Sequence, residues 1–318
     1  GVWIIIDSVL TIIGPLLFFW GFSKIFIYGS LKFQEFITRV AGFLGDLGTL
    51  ATRNVRRNPA RAASVAFLVA LIVGYSFQTI GAVSSEQDYI IRQIKTNVGA
   101  DVSVQLLSTA NASAIADAIE NLSGVVSTTL EYSFSGTLPS DYYSRQIRAV
   151  DPDEWLSTAY YEDEWFSGND VTTAFQQMQI NNKTIILERN IAKALNKKVG
   201  DNITLTIGLS TLQLTIVGFF GPEVTQQSYY IQPLEYVGGY FWSYVPHGLY
   251  ESLSAGVYPS LRILAKLESG ADAKSITSEI LQLDNVSDVR SIAEELETYQ
   301  SNLTLTGPLN IQRIGVIF

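Results

Sequence analysis

Two long apolar runs dominate the first quarter of the chain. Residues 1–28 contain only two formal charges, Asp7 and Lys24, and residues 63–83 contain none. About 20 apolar residues are enough to cross the hydrocarbon core of a bilayer. We therefore predict a transmembrane helix in each run, and the largely apolar residues 306–318 indicate the start of a further one.

The segment between the two runs is basic. Residues 24–62 hold seven basic residues against two acidic ones, Glu35 and Asp46. Cytoplasmic loops of membrane proteins carry an excess of Lys and Arg. We therefore predict that residues 29–62 form a cytoplasmic basic linker and the helix leading into the second span, in a multi-pass protein of the plasma membrane. Residues 84–305 then lie outside the cytoplasm.

The second apolar run is followed by more helical pattern. Ile90, Ile91, Ile94 and Val98 are apolar at helical spacing. The membrane helix is therefore expected to continue beyond the bilayer as a stalk.

A strand, helix, strand pattern occurs near both ends of the outer segment. Apolar spacing predicts strands over 101–107, 125–132, 260–267 and 286–292, and amphipathic helices over 111–122 and 272–283. Asn111 and Asp272 stand where N-caps are expected. Two such units pair into a split βαβ sheet with helices on one face.

The region between these units, about residues 133–259, has a different pattern. Strand composition occurs over 184–188, 203–207 and 212–219, with a short helix over 189–195. The predicted fold class is thus a membrane protein with transmembrane α-helices and an α+β extracytoplasmic domain, into which a smaller, β-rich subdomain is inserted.

Charge and composition exclude several classes of protein. Only 16% of the residues are charged and there is no cysteine, so disulfide scaffolds, cysteine zinc sites and cysteine nucleophiles are excluded. The net charge of −9 argues against nucleic acid as a partner. The outer segment alone has 13 Lys and Arg against 27 Asp and Glu, a net charge of −14.

Several short motifs resemble one known family. The run LATRNVRRNPAR at residues 50–61 precedes a predicted membrane helix, and LERNIAKAL, VGDNITL and LTIVGFF follow at residues 187–195, 199–205 and 214–220. These motifs, with GADV at 99–102 and AVDPDEW at 149–155, resemble FtsX-like permeases of ABC transporters, the MacB and LolC/LolE superfamily.

The resemblance implies an outer domain with a porter-like α/β subdomain and a β-rich insert. It implies a permease dimer that works with a separate ABC-type ATPase, whose ATP hydrolysis moves the outer domain against a lipid, lipoprotein, peptide or surface partner. ATP and Mg²⁺ are then expected on that ATPase. No P-loop motif occurs in this chain, so neither catalysis nor a cofactor is expected here.

Four arginines ahead of the second apolar run are candidate contact residues. Arg53, Arg56, Arg57 and Arg61 place much of their charge on one helical surface. They could dock on the ATPase, bind anionic membrane lipid, or serve only to set the topology.

Six Asn-x-Ser/Thr sequences in the outer segment are candidate N-glycosylation sites: Asn111, Asn121, Asn182, Asn202, Asn285 and Asn302. They keep open an alternative function, a membrane-anchored surface glycoprotein with a structural or adhesive role. A neighbouring or co-purifying P-loop ATPase would distinguish the two functions.

The remaining candidates also have simpler interpretations. Asp7 could relay protons or lie at the membrane interface, and His247 is expected to be a surface or packing residue. The acidic groups at 151–154 and 162–164 could bind calcium, although solvated loops are the simpler reading. An aromatic cluster could line an apolar site or form a core: Tyr229, Tyr230, Tyr236, Tyr240, Phe241, Trp242, Tyr244 and Tyr250.

Overall fold

The computed structural model describes part of the chain. Its described residues are 13–14, 17–22, 24, 59–107, 111–138, 144–221, 242–253 and 257–301. The chain divides into two compact units, Gly1–Gln87 with Gly307–Phe318 and Asp88–Thr306. Among the described residues, none of the helices combines the length and the apolar character that a bilayer crossing requires.

The helices differ widely in length. In chain order they are α1 (Pro59–Val98), α2 (Ala112–Glu120), α3 (Pro152–Thr158), α4 (Val171–Ile180), α5 (Arg189–Ala194), α6 (His247–Glu251), α7 (Ala273–Ile280) and α8 (Ile292–Ser301). A 3₁₀ turn covers Asp163–Trp165. With 40 residues, α1 continues past residue 83 to Val98, as the helical spacing of the apolar residues there predicted.

The strands form one sheet in the second unit. They are β1 (Val102–Leu106), β2 (Val125–Thr137), β3 (Ser144–Val150), β4 (Phe166–Ser167), β5 (Thr184–Glu188), β6 (Asn202–Ile207), β7 (Ser210–Phe220), β8 (Trp242–Pro246), β9 (Ser260–Leu267) and β10 (Val286–Ser291). Their order is β10-β1-β9-β2-β3-β8-β5-β7-β4, and β6 pairs with both β2 and β7.

The split βαβ arrangement predicted from the sequence is confirmed. Strands β10, β1, β9 and β2 are adjacent and antiparallel. Helices α2 and α7 pack on this part of the sheet through Ala112, Ala116, Ile119, Ile276 and Ile280, all buried in one apolar cluster. The apolar spacing predicted Ile115, Ala118 and Ile119 on the inner face of α2 and Ile276, Ile280 and Leu281 on that of α7. Ile119, Ile276 and Ile280 are buried as predicted and Ile115 is half-buried, but Ala118 and Leu281 are exposed.

The inserted region continues the same sheet. Strand β2 extends to Thr137, beyond the predicted end at residue 132, and its second half pairs with β3 from Glu131 onward. Strands β3 and β8 pair in parallel, as do β5 and β7. The insert also contains α3, α4 and α6, which the prediction of a mostly β subdomain did not include.

The two faces of β2 serve different cores because neighbouring side chains on a strand point to opposite faces. Leu130 packs against the cluster beneath α2 and α7. Glu131 instead meets Trp155 of α3, which belongs to an aromatic core with Phe175, Phe220 and other residues. This second face is the one that receives the end of α1.

Candidate functional site

The C-terminal end of α1 is held by an arginine from β9. Gly99 follows the helix with φ +86°, a conformation that favours glycine and ends many helices. Arg262 donates from Nη1 to the carbonyl oxygens of Asn97 and Val98, at 3.0 and 3.3 Å. A cation at this position is favourable because the last carbonyls of a helix carry partial negative charge.

The same arginine contacts a buried carboxylate. Glu131 on β2 is 1% exposed, and Arg262 donates from Nε to its Oε2 at 2.5 Å. Trp155 of α3 donates from Nε1 to Oε1 at 2.7 Å. Arg148 on β3 lies 3.4 Å from Oε2. One carboxylate thus joins two strands and a helix to the residue that caps α1.

Strand register places these charges together. Glu131 is directly opposite Arg262 in the antiparallel pair of β2 and β9. Arg148 is opposite Ser133, two positions further along β2 and on the same face as Glu131. Residues two apart on a strand share a face, so the contacts follow from the pairing and need no unusual backbone.

The arginines keep Glu131 ionised despite its burial. Burial alone would raise the pKa of Glu131, but attraction to Arg262 and Arg148 and hydrogen bonds from Arg262 and Trp155 outweigh it, so the pKa lies below its usual value. Burial and repulsion by Arg262 lower the pKa of Arg148 to about 10. The Arg148 guanidinium also stacks 3.6 Å from the centre of the Trp242 ring.

A second contact holds α1 two turns before its end. Arg92 makes a two-pronged ion pair with Glu162, and one of its hydrogen bonds, from Nε to Oε1, measures 3.0 Å. Tyr160 donates its hydroxyl to the same carboxylate at 2.6 Å. The backbone N–H of Tyr160 also donates to the carbonyl of Gly99 at 2.7 Å. The segment around Tyr160 thus contacts both α1 and the residue that follows it.

The pKa values of this pair shift in the directions expected of an ion pair. The hydrogen bond to Glu162 raises the pKa of Arg92. Burial opposes ionisation of Glu162, but hydrogen bonds from Arg92 and Tyr160 lower its pKa overall. The Arg92 side chain is 40% exposed, so solvent screening limits the pair to about 1 kcal/mol of stability.

We call these five residues the α1 anchor: Arg92, Glu131, Tyr160, Glu162 and Arg262. They connect the last turns of α1 to β2, to β9 and to the segment before the 3₁₀ turn. They contact one another and the helix through ion pairs and hydrogen bonds. The arrangement can hold the end of a helix while load is applied to it.

The anchor was not predicted from the sequence, although the sequence contains an indication of it. Glu131, Arg148 and Arg262 are charges inside apolar strand sequences, LEYSF, QIRAV and LRILA. A charge on the inward face of a strand requires a partner. The sequence could have predicted a buried ion pair, but it could not have predicted which charges meet.

The predicted arginine contacts lie mostly outside the described residues. This is so for Arg53, Arg56 and Arg57, while Arg61 lies in the first turn of α1. Asp7 also falls outside the described residues.

The predicted glycosylation sites are mostly accessible. Asn111, Asn121, Asn182 and Asn202 are exposed, Asn285 is half-buried and Asn302 lies outside the described residues. Asn111 adopts φ 58° and makes no side-chain cap to α2, so the predicted N-cap is wrong there. Asp272 does cap α7, accepting from the N–H of Lys274. That the six asparagines carry N-linked glycans stays a prediction.

The acidic groups have structural partners in the protein. Asp151 caps α3 by accepting from the N–H groups of Asp153 and Glu154, and Glu162 binds Arg92. Within the described ranges, no group of three or more Asp, Glu, His or Cys residues is arranged to hold a metal ion.

The described members of the aromatic cluster pack inside the domain. Trp242 and Tyr244 are buried in the core beside α3 and α4. Tyr250 stacks on Tyr132 with ring centres 4.7 Å apart, and the His247 ring packs against both, 4.7 Å from Tyr132 and 5.9 Å from Tyr250. The other five residues of the cluster lie outside the described residues: Tyr229, Tyr230, Tyr236, Tyr240 and Phe241.

The fold and the anchor together define a class, an α+β domain built onto the end of a long helix. A comparison with protein families identifies it further: the profile described as MacB-like periplasmic core domain matches residues 62–283, more than half of the chain. The chain belongs to this family. The resemblance to FtsX-like and MacB-like permeases of ABC transporters is thereby confirmed.

Two solved structures are similar to this chain at low sequence identity. The periplasmic region of MacB from Actinobacillus actinomycetemcomitans is 12% identical, with a TM-score of 0.39 over 66% of this chain and 98% of that one. The extracellular domain of the ABC-type transporter YknZ from Gram-positive bacteria is also 12% identical, with a TM-score of 0.35 over 58% and 100%. At these TM-scores neither likeness carries an argument. No curated protein matches.

Proposed function

We propose that this chain is the permease part of an ABC transporter complex that transmits movement from a separate ATPase to an extracytoplasmic domain. The observation that carries the proposal is the α1 anchor. It fastens the end of one unbroken helix to two strands and a loop of a domain of the MacB-like family. A lipid, lipoprotein, peptide or surface protein is the expected client.

The proposal places residues 1–28 and 63–83 in the membrane, with the domain outside the cytoplasm. Large apolar side chains between residues 68 and 80 support this placement because they are 47–73% exposed on α1: Leu68, Val69, Ile72, Val73, Tyr75, Phe77 and Ile80. Exposed apolar surface on this scale is typical of contact with lipid or with another membrane helix. The basic linker at residues 29–62 then faces the cytoplasm and the ATPase.

The anchor has the properties that transmission requires. Arg92 holds α1 from the side through Glu162, and Arg262 holds its last carbonyls. Arg262 is itself held by the buried Glu131. A tilt of α1 would therefore load β2 and β9, which lie in the middle of the sheet. Nη1 of Arg262 is directed toward the helix carbonyls, where positive charge is favourable.

The partner ATPase is tested by purification of the tagged, full-length protein from its native membranes. The proposal expects a P-loop ATPase to co-purify, and expects this association to weaken when Arg53, Arg56, Arg57 and Arg61 are replaced by Gln. If no ATPase co-purifies and none is encoded nearby, the structural surface glycoprotein becomes the better reading.

Transmission is tested with spin labels in the assembled complex. Because the chain has no cysteine, Ser275→Cys on the exposed surface of α7 gives one label per permease copy. We expect the distance between the two labels to change on ATP binding, and the change to shrink in Arg92→Glu. The exchange of charges in Arg92→Glu with Glu162→Arg should restore it.

Two controls separate transmission from assembly. ATPase co-purification should be the same in Arg92→Glu as in the unmodified protein, since residue 92 lies in the outer unit. An ATP-dependent distance change of full size in Arg92→Glu would contradict the role of the anchor. A failure of the charge exchange to restore any change would do so as well.

A further inference from the structure

A polar pocket opens beside the buried charges, on the face of the sheet that receives α1. It has a volume of about 260 Å³. Its lining includes Gln105, Ser133, Gln146, Arg148, Ser260 and Arg262. We call it the arginine pocket. It differs from the apolar sites that bind most drug-like molecules, because nearly all of its lining side chains are polar.

Strand pairing places the lining residues directly opposite one another on adjacent strands. Gln105 is opposite Arg262 across β1 and β9, and Ser260 and Arg148 lie on either side of Ser133. These positions therefore share one face of four adjacent strands, β1, β9, β2 and β3. Rigid strands hold such a constellation more firmly than loops would.

The lining has hydrogen-bond donors and a positive charge. Two arginines line it, whereas Glu131, the carboxylate that pairs with both, is outside the lining and is 1% exposed. Together these three groups carry a net charge of about +1 at neutral pH. Serine hydroxyls and glutamine amides add donors that carry no charge.

Part of this donor capacity is unused in the structure. A guanidinium has five N–H groups, and Arg148 uses some of them for Glu131 and Tyr244. Arg262 uses Nε for Glu131 and Nη1 for the carbonyls of α1, and its Nη2 lies beside Gly99. A positive charge and uncharged donors in one lining would both favour an anion in the pocket.

We infer that the arginine pocket binds an anionic group, a carboxylate or a phosphate, against the parts of the Arg148 and Arg262 side chains that stay exposed, 12% and 13% of each. Guanidinium groups match the oxygens of both anions in geometry and charge. Because Arg262 also caps α1, the bound anion contacts the residue that connects the helix to the sheet. The pocket is an anion site whether or not the chain works with an ATPase.

The test measures binding of two simple probes, inorganic phosphate and acetate, to the full-length protein by calorimetry at constant ionic strength. We expect saturable binding of at least one probe and a rise in the thermal unfolding temperature at saturation. Saturation by phosphate alone would indicate a phosphorylated ligand. Saturation by acetate would indicate a carboxylate ligand such as an acidic side chain or a peptide terminus.

A pair of matched variants locates the site. Gln146→Glu introduces a carboxylate into the lining at an exposed position, so it should fold normally and weaken anion binding at least about tenfold through repulsion. Gln213→Glu makes the same change at an exposed position on β7, outside the lining, and should leave binding unchanged.

Two results would overturn the inference. The first is the absence of saturable binding of either probe to the unmodified protein. The second is equal weakening in Gln146→Glu and Gln213→Glu, which would mean that the anions respond only to the overall charge of the protein. Arg148→Lys is a further test. Lysine carries a point charge without the two-pronged geometry of a guanidinium, so this variant should bind the anion more weakly than the unmodified protein.

Discussion

Glu131 is the residue on which the buried charges depend. It is the only carboxylate that the structure pairs with both Arg148 and Arg262 in the described part of the chain. Without the Glu131 carboxylate, two largely buried guanidinium groups would lie close together with no negative charge to balance them. Breaking a buried ion pair from one side is among the most damaging single substitutions.

Glu131→Gln should lower the free energy of unfolding by about 3–5 kcal/mol. The substituted amide keeps the shape of the side chain but cannot balance the two arginines. Equilibrium unfolding in urea, followed by tryptophan fluorescence, measures the loss. A loss below about 1 kcal/mol would mean that Glu131 carries little of the stability assigned to it.

Acidification should lower the folding stability of the domain through protonation of Glu131. Because the folded-state pKa of Glu131 lies below its usual value, its ionised form contributes stability above the unfolded-state pKa. That contribution is lost as the pH falls through the folded-state pKa. We therefore expect stability to decline with acidification, and to decline less steeply in Glu131→Gln. Urea titrations across this pH range measure both slopes.

Glu188→Gln is the matched control for this pH dependence. Glu188 is also buried, but burial raises its pKa. Its substitution should therefore leave the acid-induced decline in place. If Glu188→Gln flattened the pH profile as much as Glu131→Gln, the decline would not report on the anchor.

At the scale of the element, the end of α1 is determined by tertiary contacts. The helix stops at Val98 because Gly99 turns the backbone and Arg262 caps the last carbonyls. The ion pair of Arg92 and Glu162 then fixes the helix from the side. Each contact can be changed separately.

The ion pair between Arg92 and Glu162 should show measurable coupling. A double-mutant cycle with Arg92→Ala and Glu162→Ala is expected to give a coupling free energy of about 1 kcal/mol. The value should fall as salt is added, because Arg92 is partly exposed. Urea unfolding of the four proteins at two salt concentrations measures it. A coupling near zero at low salt would remove this pair from the anchor.

Gly99→Ala should destabilise the end of α1. An alanine Cβ at this position lies 2.9 Å from Nη2 of Arg262 and 3.3 Å from Cδ2 of Leu264, and the backbone has φ +86°. Gly270→Ala is the control, since Gly270 has φ +88° and open space around the added Cβ. Both should lose about 1–2 kcal/mol from backbone strain. Only Gly99→Ala should lose more stability than this, because its added Cβ also meets Arg262 and Leu264. Urea unfolding of both variants measures the difference.

Some elements could be predicted from the sequence and others could not. The helices α2 and α7 were predicted because their apolar positions repeat at helical spacing. Helix α3 was read as an acidic loop, although Asp151 followed by Pro152 is a helix start signal that the structure confirms. Strand β2 was predicted too short because the sequence from Ser133 to Thr137 is polar, and pairing with β3 extends the strand there.

At the scale of the whole molecule, the proposed function requires a fixed orientation across the membrane. The proposal puts α7 outside the cytoplasm and the basic linker inside. The absence of cysteine allows single-cysteine labelling without background. The chain thus lends itself to a direct test.

Ser275→Cys should react with a membrane-impermeant maleimide on intact cells, whereas Lys32→Cys should react only after the cells are permeabilised. The difference is expected because basic loops stay in the cytoplasm. Gel-shift detection of the label measures it. Labelling of Lys32→Cys on intact cells would indicate the reverse orientation, which would contradict the proposed function.

The sequence by itself determined the features that depend on neighbouring residues. The apolar runs, the basic linker, the two strand, helix, strand units and the family motifs can all be read within short windows, because local periodicity reports which face of an element is buried. These features were sufficient to predict the family and the split βαβ part of the sheet, and both predictions are confirmed.

Only the tertiary structure decided which charges meet. Arg92 and Glu162 are 70 positions apart, and Glu131 and Arg262 are 131 positions apart. The apolar strand sequences around Glu131 and Arg262 indicate that these charges need partners, but nothing local identifies which partners they meet. Strand register brings Glu131 and Arg262 onto one face, and the end of α1 lands beside them. The α1 anchor and the arginine pocket therefore exist only in the folded sheet.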